Sequence, residues 1–136
     1  RMHSCMHLLS AVIPYPITGC QVGDGKGRVD FDTDGEIPSK DIITIELNRL
    51  IEIDHPVTSE WITDEKLRMQ PELVKTLSVK PPSGVEHVRL IRMKGIDLQP
   101  CGGTHVTRTG EIGKVEVTKI QNKGKQNRRV SIILLS

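Results

Sequence analysis

Aromatic side chains are almost missing from this 136-residue chain: Tyr15, Phe31 and Trp61 make up 2% of it. The core must therefore rest on Ile, Leu and Val. Binding of single-stranded nucleic acid by stacking bases on rings is disfavoured for the same reason. Cysteine is scarce too. Cys5, Cys20 and Cys101 are an odd number with no framework spacing, which excludes a disulfide scaffold and fits a reducing, cytoplasmic compartment. No apolar run approaches the roughly 18 residues needed to cross a membrane, and no signal-peptide pattern is present. The net charge is only +2, too small to announce a polyanionic partner by itself. Internal repeats and low-complexity segments are also missing.

What is present suits one compact domain over residues 1–136. The hydrophobic share is 36% and the charged share 26%, a globular balance. Charge is unevenly placed. Lys114, Lys119, Lys123, Lys125, Arg128 and Arg129 crowd the last quarter, where Glu111 and Glu116 are the only acids. Lys123, Lys125, Arg128 and Arg129 could dock an RNA, or could be a solvated hairpin tip; the pattern leaves both open. The chain starts at Arg1 inside what reads as a helix, so it is expected to be part of a longer polypeptide.

The periodicities predict helices and antiparallel strands in mixed order, hence an α+β fold in which helices pack on an antiparallel sheet. Met2–Ile13 has helical spacing and stops at Pro14 and Pro16. Thr18–Asp32 reads as a hairpin around Asp24-Gly25. Ser39 caps a helix whose stripe is Ile43, Leu47, Leu50 and Ile51, ending near Asp54 because Pro56 follows. Val57–Ile62 is a strand, Thr63-Asp64-Glu65 opens a helix, and Pro71-Glu72 opens another. Lys80–Gly84 is a loop. Val85–Met93 is a strand with Val88, Leu90 and Arg92 on one face. Ile112–Ile120 places Val115, Val117 and Lys119 on one face, and Arg129–Leu135 is buried, with a turn at Asn122–Asn127 between them. Asp30 and Asp32 share a strand face and could steer an ammonium group, or be ordinary surface carboxylates.

Two short motifs carry chemistry. In His3-Ser4-Cys5-Met6-His7 the histidines are i, i+4 on one helix face and can aim two ring nitrogens at one point. In Pro100-Cys101-Gly102-Gly103-Thr104-His105 the glycines allow a tight turn that brings Cys101 and His105 to the same side. Two imidazoles, a thiolate and a third imidazole are the ligand types zinc favours. Four protein ligands make a closed structural site, whereas a catalytic site keeps a position open. Polar neighbours (Ser4, Gln21 and Thr104) favour catalysis. His55 and His87 have no partner motif and read as structural.

These residues are familiar in combination. His3-x3-His7-Leu8-Leu9, Gln21-x-Gly23, Cys101-Gly102-Gly103-Thr104-His105-Val106-x-Arg108-Thr109-Gly110 and Gly124-x2-Asn127-Arg128-Arg129-Val130 resemble the alanyl-tRNA editing family. That family comprises the editing domain of alanyl-tRNA synthetase and its freestanding relatives; threonyl-tRNA synthetase carries a related domain. The resemblance implies an editing-domain α+β fold with zinc on His3, His7, Cys101 and His105. It implies Gln21 beside the metal and Thr104 close by. The implied substrate is seryl- or glycyl-tRNA of the alanine type, and the reaction is hydrolysis of the aminoacyl ester. Gln21, Ser4 and Thr104 are then the candidates to hydrogen-bond the amino acid's hydroxyl, and His105 is either ligand or general base. Ser4-Cys5-Met6 stands where the family often has Thr-Ala-Thr, which keeps a hydroxyl and adds a thiol. Longer freestanding relatives carry an upstream barrel domain, which this chain is expected to lack. Two alternatives stay open: a noncatalytic RNA-binding module stapled by zinc, and a zinc-free editor using the same residues as pocket walls.

Overall fold

The computed structural model describes residues 1–33, 36–71 and 87–135. The expected helix beyond Pro71 and the loop at Lys80–Gly84 fall outside them. Within them the fold is α+β, with two antiparallel sheets and three α-helices.

Helix α1 (Met2–Val12) ends before Pro14, as the sequence demands. It is buried on nearly every side. Met2, Cys5, Met6, Leu8 and Leu9 enter the main core, while Ser4, His7 and Ser10 are also buried. A helix with so many buried polar positions needs partners for each of them. The strands of the larger sheet follow the order β1-β2-β7-β6: β1 (Ile17–Val22), β2 (Lys26–Asp32), β6 (Val115–Asn122) and β7 (Asn127–Leu134). Strand β2 turns Val29 and Phe31 inward, and β7 turns Val130 and Ile132 inward. Each fully buried side chain of this kind contributes about 1.5–3 kcal/mol.

Helix α2 (Lys40–Ile53) starts at Ser39, whose hydroxyl accepts from the Ile42 amide, and buries the expected stripe Ile43, Leu47, Leu50 and Ile51. Its outer turns also protect the sheet edge. Asn48 donates to Val115 O and accepts from Val115 N, and Thr44 Oγ1 accepts from Val117 N. These bonds occupy ladder groups that an edge strand otherwise leaves open.

The smaller sheet has the order β3-β4-β5: β3 (Val57–Thr63), β4 (His87–Met93) and β5 (Asp97–Pro100). The short helix α3 (Asp64–Arg68) is capped by Thr63 and packs Leu67 on Val88 and Leu90. Arg92 shares the Val88 and Leu90 face of β4, as expected, but it is exposed and pairs with Glu60, while Ile91 and Met93 on the other face are buried. Two details differ from expectation. Strand β6 begins at Val115, because Thr109–Ile112 forms a 3₁₀ turn. A register shift between Val117 and Lys119 then puts Lys119 opposite Ser131, away from the core face that holds Val115 and Val117.

Asp54 closes α2 in the left-handed conformation (φ 59°). Its carboxylate accepts from Arg108 Nε (3.0 Å) and from the Gly110 amide (3.0 Å). The Arg108 guanidinium, with help from that amide, holds the Asp54 carboxyl below the usual carboxylate range. A carboxyl lowered on folding stabilises the fold above its unfolded pKa, and that contribution is lost as pH falls through the folded value. Asp54→Asn, which tolerates the same backbone conformation, should therefore flatten the acid side of a melting-temperature profile taken between about pH 2 and 6. A profile parallel to the native protein's would refute the role.

Candidate metal centre

The core layout fixes two ends of a site. Helix α1 lies between the two sheets. Its apolar side faces the larger sheet, and its polar side meets β5 and the segment after it. Ser10 Oγ donates to His7 O (2.6 Å) and accepts from Gln99 Nε2 (3.1 Å). Gln99 also donates to Asp97 Oδ2 (2.7 Å). This buried chain of polar groups locks the second turn of α1 to β5.

The ligand candidates converge at that junction. One donor atom from each of His3, His7, Cys101 and His105 lies within 4.8 Å of the others. Cys101 Sγ is 3.4 Å from both His3 Nε2 and His105 Nε2. The rings of His3 and His7 each stand 4.3 Å from that of His105, centre to centre. His7 is buried, while His3, Cys101 and His105 are half-buried, so the cluster opens on one side.

Other side chains set the ring orientations. Ser4, fully buried, places Oγ 2.9 Å from His105 Nδ1 and accepts from the Val106 amide at 3.1 Å. His105 thus turns Nε2 toward Cys101. Behind His7, Asp97 Oδ2 lies 3.7 Å from Nδ1. That is an ion-pair distance rather than a hydrogen bond, and Nδ1 has no hydrogen-bond partner among the described residues. With Nδ1 turned to Asp97, Nε2 is left for the cluster. A carboxylate behind a ligating imidazole is the common supporting arrangement at metal sites. Gly103 is required by contact: a Cβ there would lie 2.3 Å from His3 Cε1. Its amide points at Cys101 Sγ (3.4 Å), and its carbonyl accepts from Arg89 Nη1 (2.9 Å).

Protonation follows from this crowding. Burial pushes the Cys101 thiol up, but hydrogen bonds from His105, His3, His7 and the Gly103 amide outweigh it, and the thiol is held down to about 3. Burial alone would lower His7; Asp97 and Cys101 reverse this and raise it. His105 is lowered, first by burial and then by the charges of His7 and His3, against the pull of Cys101. The cluster is therefore a thiolate among imidazoles, a donor set that can hold a metal ion.

Of the other sequence candidates, Thr104 is exposed beside His105 and makes no hydrogen bond among the described residues. The structure does not bring Gln21 to the cluster. Gln21 pairs with Arg28, the neighbour of inward-facing Val29, so its side chain lies on the opposite face of the sheet from α1, where Oε1 accepts from Arg28 Nε (3.1 Å). Ser4 is committed to His105 and Val106 and presents no hydroxyl to solvent. Arg129 is bound to Asp30 by two hydrogen bonds (2.8 and 3.1 Å), which removes it from the freely available cations of the hairpin tip and removes Asp30 from ammonium steering. Arg128 donates to Asn122, while Lys123 and Lys125 are exposed in the turn. Sequence reasoning missed Asp97, Gln99 and Ser10.

Cys5 is not a ligand. It is fully buried in the core, and burial pushes its thiol up to about 12. Cys20 is exposed. Thiol labelling followed by mass should therefore modify Cys20 rapidly and Cys5 only after unfolding. Rapid labelling of Cys5 in the folded protein would contradict this packing.

Fold and cluster together define an α+β domain with a candidate metal centre between its two sheets. A family profile described as the threonyl and alanyl tRNA synthetase second additional domain matches residues 88–131. The alanyl-tRNA editing protein AlaX-M of Methanosarcina acetivorans is 35% identical over 99% of this chain and 57% of that protein. The AlaX-M protein of Saccharolobus solfataricus is 31% identical over 96% of this chain and 56% of its own length. An alanine–tRNA ligase from Methanococcus vannielii is 32% identical over 89% of this chain, but over 14% of the ligase. Over nearly its whole length the chain is similar to proteins of the alanyl-tRNA editing family. It spans a little over half the length of the AlaX-M relatives it matches.

Proposed function

We propose that residues 1–136 act as an editing domain that hydrolyses, in trans, the aminoacyl ester of alanine tRNA mischarged with serine or glycine, using zinc held by His3, His7, Cys101 and His105. The observation that carries this reading is the convergence of these four donors from opposite ends of the chain. The donor set fits zinc. Ligand bonds of about 2.0–2.1 Å to nitrogen and 2.3 Å to sulfur imply a nitrogen–sulfur edge of about 3.6 Å in a tetrahedron, and Cys101 Sγ stands 3.4 Å from two imidazole nitrogens. Bound there, zinc would supply Lewis acidity toward the ester carbonyl or toward a water.

The chain's own residues do the rest. Ser4 fixes the His105 ring, and Asp97, held by Gln99, backs His7. Thr104, exposed next to His105, is the candidate hydroxyl to meet a substrate side chain. A site that hydrogen-bonds a seryl hydroxyl leaves its own polar group unpaired against alanine, which discriminates between the two. Gln21 has no part in this pocket. The half-open cluster favours catalysis over a purely structural staple. Four protein donors with no spare position are the one feature that favours the staple.

Deacylation of seryl-, glycyl- and alanyl-tRNA, with and without a chelator, together with metal analysis of the purified protein, tests the reading. Zinc-dependent cleavage of the first two and sparing of the third is the expected result. Cleavage by a metal-free preparation would favour a zinc-free editor. Bound zinc without any cleavage would favour the staple.

A further inference from the structure

The face of the larger sheet turned away from α1 carries a second ordered set of polar side chains. Gln21 pairs with Arg28, Arg28 with Ser131, and Ser131 with Lys119. These four residues form one transverse row across β1, β2, β7 and β6. Neighbours in such a row share a face, and the inward alternates Val29, Val130 and Val117 are buried on the other one. The row borders an open cleft of about 380 Å³, also lined by Lys26 and Ile133.

The charge in this cleft is of one sign. Lys26, Arg28 and Lys119 line it, and no carboxylate does so among the described residues. The nearest acids are placed otherwise. Asp30, one row along, is neutralised by Arg129. Glu116 lies across from Ile133 near the far edge. Arg28 is also oriented in advance. Its Nε donates to Gln21 Oε1 (3.1 Å), and its remaining guanidinium donors have no acceptor among the described residues. A guanidinium held by one edge and open at the other is suited to a phosphate. Arg28 and Lys119 stand two strands apart, roughly 10 Å at the backbone, so their long side chains can grip neighbouring phosphates of one strand. Tyr15, Phe31 and Trp61 are all absent from the lining, which leaves no ring on which to stack a base.

We propose that this row is a docking surface for the sugar–phosphate backbone of RNA, separate from the metal centre and independent of base sequence. It extends the proposed function to the body of the substrate, and it rests on that reading only for the identity of the RNA. Gln21 then acts as a positioning residue for Arg28.

The test measures binding of an uncharged alanine tRNA transcript by the full chain, by fluorescence anisotropy over a salt series. The proteins compared are the native chain, the double variant Arg28→Ala/Lys119→Ala and a control pair, Lys40→Ala/Lys66→Ala, on exposed positions elsewhere. Circular dichroism and melting confirm that each is folded. The double variant should lose at least about tenfold in affinity, and its log–log salt slope should shrink by roughly 1.5–2, the counterions of two phosphates. The control should match the native chain. Affinity and slope unchanged in the double variant would overturn the docking surface, as would an equal loss in the control pair. Because the RNA is uncharged, this outcome is separate from ester cleavage. A protein that binds RNA through the row but cleaves no ester defeats the proposed function alone, and one that cleaves seryl-tRNA but binds without the row defeats this inference alone.

Discussion

His7→Ala is expected to lose its metal and its ester cleavage together. The imidazole is the most buried member of the cluster and the one backed by a carboxylate. Removing a supporting residue behind a ligand typically costs 10–100-fold in metal affinity, so removing the ligand should cost more than about 100-fold. The chelator concentration that strips half the metal reports the first effect, and seryl-tRNA hydrolysis reports the second. A cavity at a buried helix position also destabilises the fold by about 1–3 kcal/mol. His3→Ala, at the half-exposed end of the same helix face, serves as the companion variant if His7→Ala folds poorly. Full cleavage by either folded variant after metal removal would end the catalytic assignment.

Gly103→Ala should be nearly as damaging, although it changes no ligand. The added methyl would sit 2.3 Å from His3 Cε1 and 2.7 Å from Nδ1, closer than side chains ever approach. The backbone cannot easily yield, because Arg89 holds the Gly103 carbonyl and Cys101 Sγ meets its amide. His3 must therefore swing out of the cluster. Metal affinity should fall by about 10–100-fold, with the melting temperature of the metal-free protein little changed. Gly102→Ala is the matched control, since nothing lies within 4 Å of a Cβ there. Equal metal affinity in Gly103→Ala and the native chain would show that His3 is not needed in the place described.

The two converging pairs were legible in the sequence because each obeys a local rule. His3 and His7 share a helix face by spacing, and Cys101 and His105 flank a glycine turn. The capping of α2 by Ser39 and its stop at Asp54 were legible for the same reason. What escaped depends on pairing between distant segments. Asp97 and Gln99 lie on a four-residue strand, Asp97–Pro100, too short to show alternation, and their tie to His7 and Ser10 spans about ninety residues of chain. Lys119 was misplaced because a bulge in β6 resets the faces. The family resemblance implied Gln21 beside the metal, yet the pairing of β1 with β2 turns it to the far side of the sheet. Ser4 kept its hydroxyl, but only the fold could show that His105 uses it.

Helix α1 is a partition wall with a different tenant on each side. Its greasy side belongs to the large sheet, and its polar side is fastened to the small one through His7, Ser10 and the Cys101–His105 turn. Anything that clamps the four ligands therefore also rivets the small sheet to the body of the domain. When the clamp is undone, loosening should begin at β5, while β2 and β7 stay closed.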